Sequence, residues 1–336
     1  MRKELLAICL LATACLCGCN AMVAKPSHSL GVSTESNDNV SQEFANLMSR
    51  IETMRKIPNY MHEREFKGQF TETEAEILQK AKELIDQAER EGTMTPAQVL
   101  FARIYMILDD APEEDQKRQA QLLQQLIETQ PDYIQKLGKD VFFEHERYRA
   151  AIVCFKHQLK TSPDDLSIRL NLVYAYNKVG MYKDARVAVD DVLGDNLQLN
   201  EHWYVVAYQS KAIASLGLKD YLNCIQFAEK AYAVRPQVHD LMVIQLAAAR
   251  TRDTKRLERA VQELQRTNPD EYQKMKLQLD AVEAYARVKN NQREVARKLV
   301  AAWKDDYRSE ERVLRYWRDF PGGTDVAKNF SELTKR

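Results

Sequence analysis

The stretch Leu166-Ser167-Ile168-Arg169-Leu170-Asn171-Leu172-Val173-Tyr174-Ala175-Tyr176-Asn177-Lys178-Val179-Gly180-Met181-Tyr182-Lys183-Asp184-Ala185-Arg186-Val187-Ala188-Val189 decides the fold. Its apolar side chains recur every three or four residues, the period of a helix with one buried face. Leu172 and Tyr176 pack a first helix, and Gly180 supplies the turn. Tyr182 then leads into a second helix packed through Ala185 and Val189. A small residue such as Ala185 lets two helices approach closely, and a bulky one a helical turn later fills the space above.

The same hairpin recurs. Three segments end alike: Thr129-Gln130-Pro131-Asp132, Thr161-Ser162-Pro163-Asp164 and Thr267-Asn268-Pro269-Asp270, with Pro236 marking a less similar end. Eight residues before each Pro stand Leu123, Phe155, Ala228 and Val261, and four before those stand Gln119, Ala151, Cys224 and Leu257. The copy from Leu166 has Leu197 in place of the Pro. The next opens on Trp203 and reaches Tyr221 and Cys224 by a longer excursion through Gly217. A last copy runs through Ala284, Asn291, Ala296, Val300 and Trp303. Pro suits such a boundary because it opens the next helix without needing a backbone donor.

This layout resembles the tetratricopeptide-repeat family over about residues 96–306. The resemblance implies an all-α fold, a right-handed superhelical solenoid of helical hairpins whose units bury their faces only by stacking. Other helical solenoids with similar hairpins stay open. It also implies that first helices line a concave groove for protein segments. Matched residue by residue, the groove candidates are Lys136, Asp140, Leu170, Tyr174, Asn177, Lys178, Tyr208, Lys211, Arg250, Tyr285 and Lys289. Tyr174, Tyr208 and Tyr285 then form one row, and Lys178, Lys211, Arg250 and Lys289 another, suited to aromatic contact and to carboxylates. A conventional carboxylate clamp is matched only by Asn177 and scattered cations. Cations also favour helix C-termini for the macrodipole alone.

The N-terminus reads differently. Met1-Arg2-Lys3 precedes an apolar run from Leu5 to Cys17, shorter than the roughly 20 residues of a membrane span. Leu16-Cys17-Gly18-Cys19 resembles a bacterial lipobox, which implies lipidation of Cys19, with Cys15 a weaker alternative. Asn20 resembles outer-membrane sorting. Residues 1–18 are then a signal peptide and 19–40 a polar tether with a reach of roughly 25 Å. Residues 41–70 form an N-terminal helical cap, 71–319 the repeats and 320–336 a tail. Phe44, Leu47, Met48, Ile51 and Met54 make the cap's apolar stripe. Thr71 to Glu74 predicts a capping box, Gly92 a helix end, and Thr95-Pro96 the next start. Residues 310–318 predict a helix that caps the array, ended by Pro321-Gly322-Gly323.

Lys and Arg total 49, as do Asp and Glu, so no net field points to nucleic acid. The histidines His28, His62, His145, His157, His202 and His239 form no His-Glu-x-x-His, and Glu144-His145-Glu146 reads as a solvated turn. No phosphate loop, nucleophile elbow or zinc-type Cys pair is present. Cys154 and Cys224 read as small core residues. The expectation is a non-enzymatic lipoprotein without cofactor or metal. It is anchored in the cell envelope, at the outer membrane facing the periplasm, and holds protein or peptide segments of envelope machinery. A lipoprotein that binds a ligand for a transporter is the alternative, and a hydrolase with a spatially assembled site stays open.

Overall fold

The computed structural model describes residues 35–56, 73–131, 134, 137–194, 199–303, 309–318 and 320–334. These residues are almost wholly helical and contain no strand. The signal segment, Cys15, Cys19 and most of the tether lie outside them. The chain divides into two compact units, Met1–Gln158 and Leu159–Arg336.

In the first unit α1 (Glu35–Lys56) begins six residues before the expected cap, inside the expected tether. Phe44, Leu47, Met48 and Ile51 are buried as their spacing predicts, and α1 packs on α2 (Glu74–Glu91). The capping box of α2 is Thr73–Glu76, not Thr71–Glu74. In Thr-Glu-Thr-Glu both threonines have a neighbour able to cap. The helix starts at Glu74, so the Thr73 hydroxyl accepts from the Glu76 N–H at 3.3 Å while Glu76 accepts from the Thr73 N–H at 2.6 Å. Gly92 closes α2 in the left-handed region at φ 67, and Thr95-Pro96 opens α3 (Pro96–Met106).

α4 (Glu113–Thr129) carries a polar residue, Gln119, where the hairpin pattern wants a small one. It is buried because its amide donates to Ile104 O at 3.1 Å and Ile107 O at 2.7 Å, satisfying carbonyls at the end of α3. After a π-helical segment, Leu137–Phe143, the chain enters α5 (Tyr148–Thr161). A Cβ on Gly138 would stand 2.9 Å from Cys154 Cβ, so this pair marks a close helix approach. His145 is buried against the Tyr105 ring at 5.9 Å rather than solvated as expected. The turn is there, with Glu146 at φ 59, but it folds its His side chain inward.

The second unit alternates first and second helices. α6 (Leu166–Lys178), α8 (Glu201–Gly217), α10 (Val238–Thr251) and α12 (Pro269–Lys289) adjoin one another as a row. α7 (Tyr182–Gly194), α9 (Tyr221–Val234), α11 (Thr254–Thr267) and α13 (Arg293–Val300) pair with them. Ala185, Cys224, Ala228, Leu257, Ala284, Ala296 and Val300 are all buried. The longer excursion expected around Gly217 is helix: α8 simply runs an extra turn. Its last residue lies under the Tyr182 ring, so a Cβ on Gly217 would overlap that ring.

The hairpins share one turn. A residue in the left-handed region follows each first helix: Gly180 (φ 77), Lys219 (φ 63), Arg252 (φ 62) and Asn291 (φ 59). Its N–H bonds three residues back, and the next N–H bonds five back, as in Met181 to Tyr176 O at 2.9 Å and Gln292 to Arg287 O at 2.8 Å. Gly92 and Glu146 close helices of the first unit in the same way. This Schellman geometry satisfies carbonyls that a helix end leaves open.

The segment expected to be a tail is not one. α14 (Ser309–Trp317) leads through Gly322 (φ 74) to α15 (Thr324–Thr334), and Trp317, Val326 and Phe330 are fully buried in the core of this unit. Val326, Ala327, Phe330 and Leu333 recur at helical spacing, so burial outweighs the Pro-Gly-Gly break.

Candidate functional site

The left-handed turn supplies a register for the first helices. Six residues before it stand Tyr174, Ile213, Leu246 and Tyr285; two before it stand Lys178, Gly217, Arg250 and Lys289. Asp140 stands six before Glu146 in the first unit and is exposed, while Lys136 lies outside the described residues. Tyr208 and Lys211, expected in these rows, do not belong to them. At about 100° per residue they stand about 140° and 160° around α8 from Ile213. Tyr208 packs instead against Tyr204 at 4.5 Å and Phe227 at 6.1 Å, with Lys230 Nζ 5.2 Å from its ring. Lys211 pairs with Asp190 of α7 and lies 4.5 Å over Phe227 of α9. The extra turn of α8 is the reason: counting from Trp203 rather than from the turn shifts the register.

Leu170 is core, 2% exposed, not groove surface. Asn177 donates to Ser210 O at 2.9 Å and so ties α6 to α8, leaving its buried Oδ1 without a partner. Arg250 is also committed within the chain. It pairs with Asp325 at 2.8 Å, donates to Gly322 O, and lies 5.1 Å over the Tyr285 ring. Tyr285 is buried, with Lys289 Nζ 5.3 Å from its ring. Burial raises its hydroxyl above the ordinary 10.0. Thus α15 and the loop before it cover the Arg250 end of the expected face.

The other end is open. A cavity of about 660 Å³ is lined by Tyr174 and Lys178 of α6, Ile213 of α8, His239 of α10 and Gln278 of α12. Arg312, Arg315 and Tyr316 of α14 form the remaining wall with Phe320. Tyr174 is 42% exposed, and Lys178 Nζ lies 5.4 Å from its ring. His239 stacks on Phe320 at 5.6 Å and 26°, and Tyr316 contacts Phe320 at 5.8 Å. Burial, with the charge of Glu271 adding to it, pushes the Tyr316 hydroxyl far up, so it stays a proton donor. No Asp or Glu lines this cavity. Arg312, Arg315 and Tyr316 share one face of α14 by their spacing of three and four. That signal was in the sequence; the fold-back of α14 onto the first helices was not.

The first unit has a groove of about 770 Å³ between α2, α3 and α4, with Leu78, Met106, Ile107 and Leu122 along it. Its charges are mixed, and Arg103 is bound to Asp86 at 2.9 Å and Glu89 at 2.6 Å. Burial pushes the Cys154 and Cys224 thiols up to about 12, so neither is a nucleophile near neutral pH. Among the described residues no group of His, Cys, Asp or Glu is placed to hold a metal ion, and no helix is long and apolar enough to cross a membrane.

No protein-family model matches this chain, and no curated protein matches it.

Proposed function

We propose that this chain is an envelope lipoprotein that binds protein segments through a tetratricopeptide-like, right-handed superhelical scaffold, in assembly, secretion or cell-wall machinery. The observation that supports the reading is the cavity of the second unit. Its cations Lys178, Arg312 and Arg315 are interleaved with Tyr174, Tyr316 and Phe320, and no acidic side chain lines it. Such a surface offers area and charge-assisted hydrogen bonds but assembles no nucleophile with a base. Attachment rests on Leu16-Cys17-Gly18-Cys19 behind an export-like leader. Acyl chains on Cys19 add about 0.8 kcal/mol per buried methylene. The tether lifts the body from the outer membrane on its periplasmic side.

Two measurements test this. Cys19→Ser abolishes labelling by a fatty-acid probe; labelling that persists refutes the site and turns attention to Cys15. Pull-downs from envelope extracts compare wild type with Lys178→Glu/Arg315→Glu. The expected result is lost partner capture with helicity and melting unchanged. Recovery of the same partners at the same salt sensitivity refutes the role of this cavity. The transporter-accessory reading keeps one supporting observation, a cavity within the roughly 300–1,000 Å³ that hold small ligands. A small molecule co-purifying with wild type and not with the double variant would favour it.

A further inference from the structure

The cavity carries more than charge. Gln278 is 8% exposed, lines the cavity from α12, and leaves its Oε1 without a hydrogen-bond partner. That oxygen is buried beneath the lining, so its missing partner is a cost borne by the fold and the ligand is read from the groups that reach the cavity surface. Around it the positive groups are spread rather than convergent. Lys178 comes from α6, and Arg312 and Arg315 from α14. Tyr174, Tyr316 and Phe320 stand between them. A compact anion would use one of these walls and leave the aromatic faces bare. An extended chain with carboxylates separated by apolar side chains matches charge to charge and apolar to aromatic.

We propose that this cavity takes an acidic peptide segment. Its side-chain carboxylates engage Lys178 and Arg315 from opposite walls, and its apolar side chain lies against Tyr174 and Phe320. This rests on the protein-binding reading above and names the partner's chemistry. The cationic wall belongs to α14, outside the hairpin pairs, so the site is not a row of equivalent positions on successive first helices.

The test uses the full-length protein and calorimetric titration at low salt. The probe is acetyl-Glu-Leu-Glu-Leu-Glu-amide. Its Gln counterpart, the same Glu peptide with a free C-terminal carboxylate, and inorganic phosphate are the other arms. The Glu peptide binds, and the Gln peptide binds at least about tenfold more weakly, a difference of about 1.4 kcal/mol. Lys178→Glu and Arg315→Glu each weaken binding about fivefold or more; if Arg315→Glu does not fold, Arg315→Gln takes its place. Equal binding of the Glu and Gln peptides overturns the proposal. So does displacement of the peptide by equimolar phosphate, a free C-terminus that accounts for most of the affinity, or variants that bind like wild type. A wild type that captures envelope proteins but ignores the Glu peptide refutes this ligand and leaves the scaffold role standing; failure in both removes both.

Discussion

Asp109 reaches across 39 residues of chain to accept from the Tyr148 N–H at 2.7 Å, and across 40 to the Arg149 N–H at 3.1 Å. It thereby caps the start of α5 from another part of the first unit, accepting from N–H groups that a helix start leaves open. Burial raises its carboxyl above the ordinary 3.8, and the two N–H donors lower it less. A carboxyl with a raised folded pKa binds its proton more tightly when folded. Its contribution is therefore full below the unfolded value and is lost as pH rises through the folded one. Asp109→Asn keeps an acceptor and removes the titration. Urea midpoints of wild type and Asp109→Asn, measured from pH 7 down to pH 4, should converge or cross in favour of wild type as pH falls. A gap that moves the other way would mean the N–H donors outweigh burial at this carboxyl.

At the scale of the element, the recurring left-handed turn is the feature that sequence reading found least easily. Gly180 announced itself, because only glycine enters that region at no steric cost. Lys219, Arg252 and Asn291 hold the same backbone and look like any surface residue. An L-residue there costs roughly 1–2 kcal/mol, with Asn the best tolerated. Lys219→Gly and Arg252→Gly should therefore each raise stability by about 0.5–1 kcal/mol, less than the full strain because glycine also loosens the unfolded chain. Thermal melts check this; Asn291→Gly should gain least. If Lys219→Gly lowers the melting point, its side chain holds the turn in a way the backbone does not account for.

The same turn explains what was legible and what was not. The helical period and the small-residue positions Ala151, Ala185, Cys224 and Ala296 follow from burial, which patterns every hairpin alike, and all four are buried. The face of α8 was misjudged because register within a helix depends on where the helix ends. Lys219 hides that end, and this moved Tyr208 and Lys211 onto the wrong side. His239, Gln278 and Arg315 come together only because α14 returns across the row of first helices. No local pattern encodes that return.

Within the second unit, Arg250 connects the row of first helices to the chain that follows α14. Its side chain is 15% exposed and its partner Asp325 57% exposed, so the ion pair itself adds little. The bond to Gly322 O and the placement over the Tyr285 ring carry more. Arg250→Glu should cost about 1–3 kcal/mol and open residues 318–323 to limited proteolysis. Arg250→Glu/Asp325→Arg should recover only part, because the Gly322 carbonyl still lacks its donor. Unchanged melting and cleavage for Arg250→Glu would show that the apolar burial of Val326 and Phe330 alone holds α15 in place.

The two walls of the cavity stand 137 positions apart in the chain, at Lys178 and Arg315. The row of first helices supplies one wall and α14 the other. The cavity therefore exists only in a molecule whose last helices have docked. Anything that bound between the walls would stabilise that docking by mass action, and a molecule with α14 detached would keep Tyr174 and Lys178 on an open face.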